Sequence, residues 1–123
     1  MLHKTHVFIA EDEPFIALDL AAIVVEARGI VVGPAASVRE ALGILDQAEP
    51  HVGMLDVSLS DGDIRPVADL LTSRGIPILF YCALGLTDDM KLRYPSAPVF
   101  IKPSPLGDLV RFVASLVGGH RVS

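Results

Sequence analysis

The stretch His51-Val52-Gly53-Met54-Leu55-Asp56 decides the fold of this chain. It is an apolar run that ends at a carboxylate, which is typical of a buried strand in a parallel sheet. Two other runs have the same form: His6–Ala10 is followed by Glu11-Asp12, and Val99–Ile101 is followed by Lys102-Pro103. Because the carboxyl ends of parallel strands meet at one edge of a sheet, we expect these polar residues to lie close together.

Strand-like runs alternate with helix-period segments along the whole chain. The strands are predicted at His6–Ala10, Ile30–Ala35, Val52–Asp56, Ile76–Tyr81 and Val99–Ile101. This alternation predicts parallel strands joined by right-handed helical crossovers. The predicted fold is therefore α/β, a single doubly wound five-stranded parallel sheet with helices on both faces, and it forms one domain over residues 1–123.

Three of the predicted helices each have one apolar stripe, which we expect to be buried. The stripes are Phe15, Leu18, Ala22 and Val25, then Val38, Leu42 and Leu45, and finally Leu106, Leu109, Val113 and Leu116. The pattern Ser37-Val38-Arg39-Glu40 is a capping box at the start of a helix. Arg28-Gly29 and Arg74-Gly75 are predicted helix stops, and a short helix is predicted between Leu84 and Tyr94.

Composition excludes several classes of protein. A chain of 123 residues that is 51% hydrophobic and 20% charged is not disordered. Its net charge of -5 and its lack of a basic cluster argue against nucleic acid as a partner. The single cysteine cannot form an internal disulfide. The start of the chain lacks a signal-peptide pattern, and the apolar stretch Phe15–Val25 is too short to span a bilayer. We therefore expect a cytoplasmic protein with no membrane partner.

The predicted polar cluster suits a hard divalent cation. Mg²⁺ prefers oxygen ligands and usually keeps several waters, so a few carboxylates and a backbone carbonyl suffice. The predicted ligands are Glu11, Asp12, Asp56 and the backbone carbonyl of Ser58. Lys102 could then neutralise an oxygen of a phosphoryl group brought to Asp56. The alternative is that the acids only favour the dipole of the helix that follows them, but capping alone does not explain why all the charged groups stand at strand ends.

These residues resemble the receiver domain of bacterial two-component response regulators, and the resemblance covers essentially the whole chain. The matching motifs are Val7–Glu13, Leu55-Asp56, Pro77–Phe80 and Lys102-Pro103, in the family's order and spacing. The resemblance implies a flavodoxin-like fold and Asp56 as the phosphoacceptor. It also implies that Glu11 and Asp12 form the acidic pocket for Mg²⁺ and that Lys102 pairs with the phosphate.

The chain departs from the family pattern at two positions that take part in switching. Cys82 stands where the family has Thr or Ser, and a thiol is a weaker hydrogen-bond donor than a hydroxyl. Val99 stands where the family has Tyr or Phe. The loop after Asp56, together with Pro66–Leu70 and the surroundings of Phe80, resembles a subgroup of stand-alone alphaproteobacterial regulators. That subgroup carries a Phe-Ala-Thr-Gly-aromatic motif, of which Phe80-Tyr81-Cys82-Ala83-Leu84 keeps only the first residue. Cys82 is interpreted as a small buried substitute for Thr, and the alternative is a reactive thiol with a pKa lowered by Lys102.

The resemblance implies a phosphorylation-dependent signalling module rather than an enzyme. The expected phosphodonor is a histidine kinase or a histidine phosphotransfer protein, and the output is expected through a downstream protein or a homodimer. The alternative is a receiver-fold interaction module with a decayed switch that binds partners independently of phosphorylation. An aspartyl-phosphate phosphatase is disfavoured, because such enzymes need a second aspartate two residues after the nucleophile and Ser58 stands there. Any activity is expected to be limited to Mg²⁺-dependent self-phosphorylation from small donors and self-dephosphorylation.

Overall fold

A computed structural model of the chain describes residues 1–117, so residues 118–123 of the predicted domain lie outside the described part. The elements in chain order are β1 (His6–Ala10), α1 (Pro14–Glu26), β2 (Ile30–Ala35), α2 (Val38–Leu45), β3 (Val52–Leu55), β4 (Ser58–Leu59), β5 (Gly62–Asp63), α3 (Arg65–Ser73), β6 (Ile78–Cys82), α4 (Asp88–Arg93), β7 (Val99–Ile101) and α5 (Leu106–Val117). The predicted alternation of strands and helices is confirmed.

Five strands form one parallel sheet in the order β2-β1-β3-β6-β7. Every residue of β3 and β6 is buried, as expected for central strands covered on both faces. The strand order changes direction between β1 and β3, and ligands of such folds bind outside the carboxyl ends of the strands at this point. The short strands β4 and β5 pair only with each other, in an antiparallel hairpin that directly follows β3.

Apolar layers cover both faces of the sheet, so the doubly wound prediction is confirmed. The layer beneath α1 and α5 includes Leu20, Val24, Leu109 and Val113. The layer beneath α2, α3 and α4 includes Leu45, Val67, Leu71 and Met90. Phe8 and Phe80 are fully buried in this second layer, and burying a side chain of that size contributes about 1.5–3 kcal/mol. Together the two layers hold the carboxyl ends of β1, β3 and β7 in place.

The predicted orientation of α1 is wrong. Phe15, Leu18 and Val25 are 77%, 65% and 62% exposed, and the buried residues of this helix are Ala17, Leu20 and Val24. The helix is apolar on most of its surface, so helical periodicity alone could not select the buried stripe. The charged residues of α1 indicate which side is exposed. Asp19 and Glu26 lie on the same side as Phe15 and Leu18, and this side must face water.

Three strand ends and one helix stop also differ from the predictions. β3 ends at Leu55 rather than Asp56, and β6 runs from Ile78 to Cys82 rather than from Ile76 to Tyr81. At the end of α1, Arg28 and not Gly29 takes the left-handed conformation, with φ of 71°. Gly29 is required for another reason: a Cβ there would lie 2.8 Å from a methyl group of Val24.

Other local predictions are confirmed. Ser37 Oγ accepts a hydrogen bond of 3.0 Å from the amide of Glu40, as a capping box requires. The Glu40 carboxylate accepts its return bond from the amide of Ala36, one residue before the cap. Gly75 has φ of 73° at the end of α3, as a glycine helix stop predicts. Within residues 1–117, no helix has the length and apolar character needed to cross a membrane.

Candidate functional site

Backbone hydrogen bonds continue each strand ladder as far as the polar residues that follow it. The amide of Asp56 donates to the carbonyl of Ala10 at 2.9 Å, and the amide of Lys102 donates to that of Cys82 at 2.9 Å. The amide of Glu11 donates at 2.9 Å to the last carbonyl of β2. These bonds fix the start of each side chain at the same edge of the sheet, so the predicted convergence occurs.

An acidic cluster lies at this edge. Glu11, Asp12 and Asp56 each offer a carboxylate oxygen, and the three oxygens all lie within 4.8 Å of one another. Glu11 is only 2% exposed, Asp56 is half-buried and Asp12 is exposed. Carboxylates this close repel one another unless a cation lies among them.

Lys102 supplies one such positive charge. Its Nζ donates a hydrogen bond of 2.9 Å to Asp56 Oδ2 and lies 2.8 Å from Glu11 Oε1 in an ion pair. The second oxygen of Asp56 accepts a hydrogen bond of 2.7 Å from the amide of Val57. One ammonium faces three carboxylates, so the cluster keeps an excess of negative charge.

Burial and pairing act in opposite directions on the charged groups. Burial raises the pKa of Glu11 above its usual range, although the hydrogen bonds from Lys102 and the amide of Glu13 oppose the increase. Burial acts to lower the pKa of Lys102, but hydrogen bonds to Glu11 and Asp56 outweigh it and the net pKa is raised. Lys102 is therefore a cation at neutral pH.

The donor set fits a divalent cation. Glu11 Oε1 is buried and lies 2.8 Å from the Lys102 ammonium, so this oxygen is turned into the cluster, where a cation would lie. Hard oxygen donors gathered in this way suit Mg²⁺, which needs only one or two carboxylates and keeps waters elsewhere. Glu11, Asp12 and Asp56 are the residues that would hold it. The carbonyl of Ser58, which lies in β4, stays a predicted ligand.

Sequence reasoning missed the side chain that anchors the loop after Asp56. The Asp61 carboxylate accepts hydrogen bonds from the amides of Val38 at 2.6 Å and Arg39 at 3.1 Å, so it caps the start of α2 from a distant part of the chain. These bonds lower the pKa of Asp61 below its usual range. The Asp61-Gly62 pair is a turn signal that could have indicated the β4–β5 hairpin, but not the contact with α2.

The structure also bears on the two departures at the switch positions. Cys82 is 3% exposed, and burial raises the pKa of its thiol. Activation by Lys102 would lower the pKa of the thiol, whereas burial raises it. Cys82 is therefore a small buried side chain, as the leading interpretation predicted. Val99 is the first residue of β7 and is 38% exposed. Neither side chain offers a hydroxyl or an aromatic ring for the usual coupling.

The chain is similar in sequence to a known bacterial regulator and similar in structure to solved receiver-type proteins. No family model matches the chain. The phyllosphere-induced regulator PhyR of Methylorubrum extorquens is 37% identical over 82 residues, which are 64% of this chain and 31% of PhyR. The chain thus spans under a third of the length of this curated relative.

Solved structures match over nearly the full length. The solution structure of SdrG from Sphingomonas melonis Fr1 is 31% identical, with a TM-score of 0.77 that covers 95% of this chain and 99% of SdrG. The response regulator REC domain of PhyR from Erythrobacter litoralis has a TM-score of 0.77 at 22% identity, covering 95% of this chain and 92% of that domain. The second likeness is one of fold, whereas the first combines fold, length and sequence.

Proposed function

This chain belongs to the receiver domain family of bacterial response regulators, and we propose that it accepts a phosphoryl group on Asp56 from a histidine kinase or a histidine phosphotransfer protein. The observation that supports this proposal is the position of Lys102, whose ammonium lies between Asp56 at 2.9 Å and Glu11 at 2.8 Å. A half-buried carboxylate with an ammonium beside it can accept a phosphoryl group, because the ammonium neutralises negative charge on the phosphoryl oxygens.

The proposed transfer takes place at one oxygen of Asp56. A bond forms between that carboxylate oxygen and phosphorus, while the bond between phosphorus and the donor imidazole nitrogen breaks. The imidazole leaves with the electron pair and takes up a proton. The Lys102 ammonium neutralises negative charge on the phosphoryl oxygens, which is the main contribution that a protein makes to such a step.

Mg²⁺ is the proposed cofactor, and it supplies additional charge neutralisation when bound. Glu11, Asp12 and Asp56 would hold it, and the approach of their three carboxylate oxygens to within 4.8 Å of one another supports that assignment. The site has a serine, Ser58, where an aspartyl-phosphate phosphatase would need a second carboxylate. We therefore expect slow self-phosphorylation and self-dephosphorylation and no turnover of phosphate esters.

The proposed output is a protein-protein interaction in the cytoplasm. Phosphorylation of Asp56 adds about -1.5 to -2 charge and strong acceptor oxygens at one edge of the sheet. That change would bias nearby loops between two arrangements, which a downstream protein or a second copy of the chain would distinguish. We also propose that residues 1–123 form one receiver domain.

A second candidate function is an interaction module that binds its partner whether or not Asp56 is phosphorylated. The buried Cys82 and the exposed Val99 favour it, because both replace residues that usually transmit the signal. The compact site around Asp56 and Lys102 favours the first function, because interaction alone does not require it.

Intact-mass measurement after incubation with a small phosphodonor tests the proposal. We expect a phosphoryl adduct on the wild type with Mg²⁺, much less without Mg²⁺ and none on Asp56→Asn. Asp19→Asn, at an exposed position on α1, is the matched control and should keep the adduct. No adduct on the wild type, together with unchanged spectra on addition of beryllofluoride and Mg²⁺, would contradict phosphorylation and support the second function.

A further inference from the structure

Tyr81 is the one aromatic residue of β6 that contacts Lys102. Lys102 Nζ lies 5.6 Å from the centre of the Tyr81 ring, within the range of a cation–π interaction. Tyr81 is 5% exposed, and the Lys102 side chain is 15% exposed. Removal from water strengthens such an interaction, because little solvent competes for the ammonium.

The other end of Tyr81 reaches the loop before α5. Its hydroxyl oxygen accepts a hydrogen bond of 3.3 Å from the amide of Ser104, and the Ser104 hydroxyl donates to the carbonyl of Ile101 at 2.6 Å. Tyr81 therefore links the lysine of the site to the connection between β7 and α5. The ring also packs in the apolar layer shared with Leu109 and Val110 of α5.

The position of this link matters because the usual relay is absent. Cys82 has no hydroxyl and Val99 has no ring, so these two positions cannot carry a displacement from Asp56 outwards in the usual way. Lys102 has three close neighbours that can hold its ammonium: the carboxylates of Glu11 and Asp56, and the Tyr81 ring. A phosphoryl group on Asp56 replaces one of these carboxylates with a larger and more highly charged anion, so the ammonium must shift relative to the ring.

We propose that Tyr81 is a positioning residue for Lys102 and that it transmits phosphorylation of Asp56 to Ser104 and the start of α5. The inference rests on the proposed phosphorylation and adds a route by which it is transmitted. The ring and the hydroxyl have separate roles. The ring holds the ammonium beside Asp56, and the hydroxyl couples its position to the Ser104 amide.

Substitution at Tyr81 separates the two roles. Tyr81→Phe keeps the ring and removes the hydroxyl, whereas Tyr81→Leu removes both. Tyr94→Phe is the matched control, because the Tyr94 hydroxyl bonds to Asp69 between α3 and α4, away from the site. Two quantities are measured: the rate at which Asp56 gains mass from a small phosphodonor with Mg²⁺, and the change in the Ser104 amide resonance on saturation with beryllofluoride and Mg²⁺.

We expect Tyr81→Leu to slow phosphorylation by about tenfold, which corresponds to the loss of a desolvated cation–π contact. We expect Tyr81→Phe to lose at least half of the Ser104 response at saturation, and Tyr94→Phe to keep the wild-type rate and response. A full Ser104 response in Tyr81→Phe would overturn transmission through the hydroxyl, even if Tyr81→Leu fails to fold. If the wild type gains no mass from the phosphodonor and shows no response to beryllofluoride with Mg²⁺, the proposed function is overturned as well. Failure of the Tyr81 route is thus distinguishable from failure of the proposed function.

Discussion

Lys102 Nζ donates a hydrogen bond of 2.9 Å to Asp56 Oδ2, so the acceptor carboxylate is already paired with a cation before any phosphoryl group arrives. The same ammonium lies 2.8 Å from Glu11. Lys102 therefore has two roles. Before phosphorylation it offsets the repulsion between the carboxylates of Glu11 and Asp56, and after phosphorylation it is in place to neutralise the phosphoryl oxygens.

Loss of Lys102 should destabilise the protein as well as block phosphorylation. In Lys102→Ala the carboxylates of Glu11 and Asp56 stay buried without their counter-charge, and removal of one partner from a buried pair costs about 3 kcal/mol. Urea unfolding at neutral pH without metal measures the loss. Lys91→Ala, at an exposed position on α4, should change the free energy of unfolding little. Equal effects of the two substitutions would contradict the ion-pair role.

Neutralising Glu11 should stabilise the metal-free protein at neutral pH. Burial raises the pKa of Glu11 in the folded state, so folding favours the protonated acid. The contribution of Glu11 to stability is present below its ordinary pKa of 4.5 and is lost as the pH rises through the raised value. Glu11→Gln should therefore melt at a higher temperature than the wild type at pH 7, and the difference should shrink towards pH 4. Glu26→Gln on the exposed face of α1 is the control, and a lower melting temperature for Glu11→Gln would refute this account.

Asp12 should matter for metal binding more than for folding. It is the exposed member of the acidic cluster, so its replacement removes a ligand without opening a cavity. We expect Asp12→Asn to raise the melting temperature of the metal-free protein slightly. In the wild type, added Mg²⁺ should raise the melting temperature because it binds only the folded state, and Asp12→Asn should lose most of this increase. The neighbouring Glu13→Gln should keep the response to Mg²⁺. Thermal melts across a Mg²⁺ titration measure the metal-free melting temperature and its increase with Mg²⁺. If Asp12→Asn shows the same increase as the wild type, Asp12 is not a Mg²⁺ ligand.

Asp69 should govern acid stability where α3 meets α4. Hydrogen bonds from Arg93 at 3.0 Å and 2.5 Å and from the Tyr94 hydroxyl at 2.6 Å lower the pKa of Asp69 below its ordinary 3.8. This stabilisation is present above pH 3.8 and is lost as the pH falls through the lowered pKa. The Asp69 side chain is 42% exposed, so solvent screening limits the effect to about 1 kcal/mol.

Asp69→Asn should accordingly be less stable than the wild type at pH 6, and the two proteins should converge near pH 2. Acid titration of the urea midpoint measures the difference. Asp46→Asn, at an exposed position after α2, provides a reference for a substitution of the same type. A gap between Asp69→Asn and the wild type that stays constant with pH would show that packing rather than charge is responsible.

Two leucines of α1 test which face of this helix is buried. Leu20 is 2% exposed and Leu18 is 65% exposed. Leu20→Ala should cost about 3 kcal/mol, because it leaves a cavity beneath the helix. Leu18→Ala should change the free energy of unfolding by less than about 0.5 kcal/mol. Urea unfolding measures the free energy of unfolding of both variants. A larger loss in Leu18→Ala than in Leu20→Ala would show that the stripe predicted from helical periodicity is the buried one.

Much of the fold follows from the order of the residues alone. The apolar runs, the capping box at Ser37 and the glycine stop at Gly75 are local signals, and each depends on contacts between residues close together in the chain. The meeting of Asp56 with Glu11 and Lys102 was also predictable, because parallel strands place their carboxyl ends at one edge. Alternation of strands with helices was enough to establish that the strands are parallel.

Only the tertiary structure decided the remaining features, and each of them depends on residues distant in the chain. The positions of Asp19 and Glu26 indicate the exposed side of α1, but the packing of Leu20 and Val24 in the layer against the sheet is visible only in the structure. Asp61 caps α2 across 23 positions, and Tyr81 joins Lys102 to Ser104 across two elements. Periodicity and composition describe the neighbours of a residue along the chain, whereas these contacts arise from packing, which sets which distant groups lie within hydrogen-bond distance.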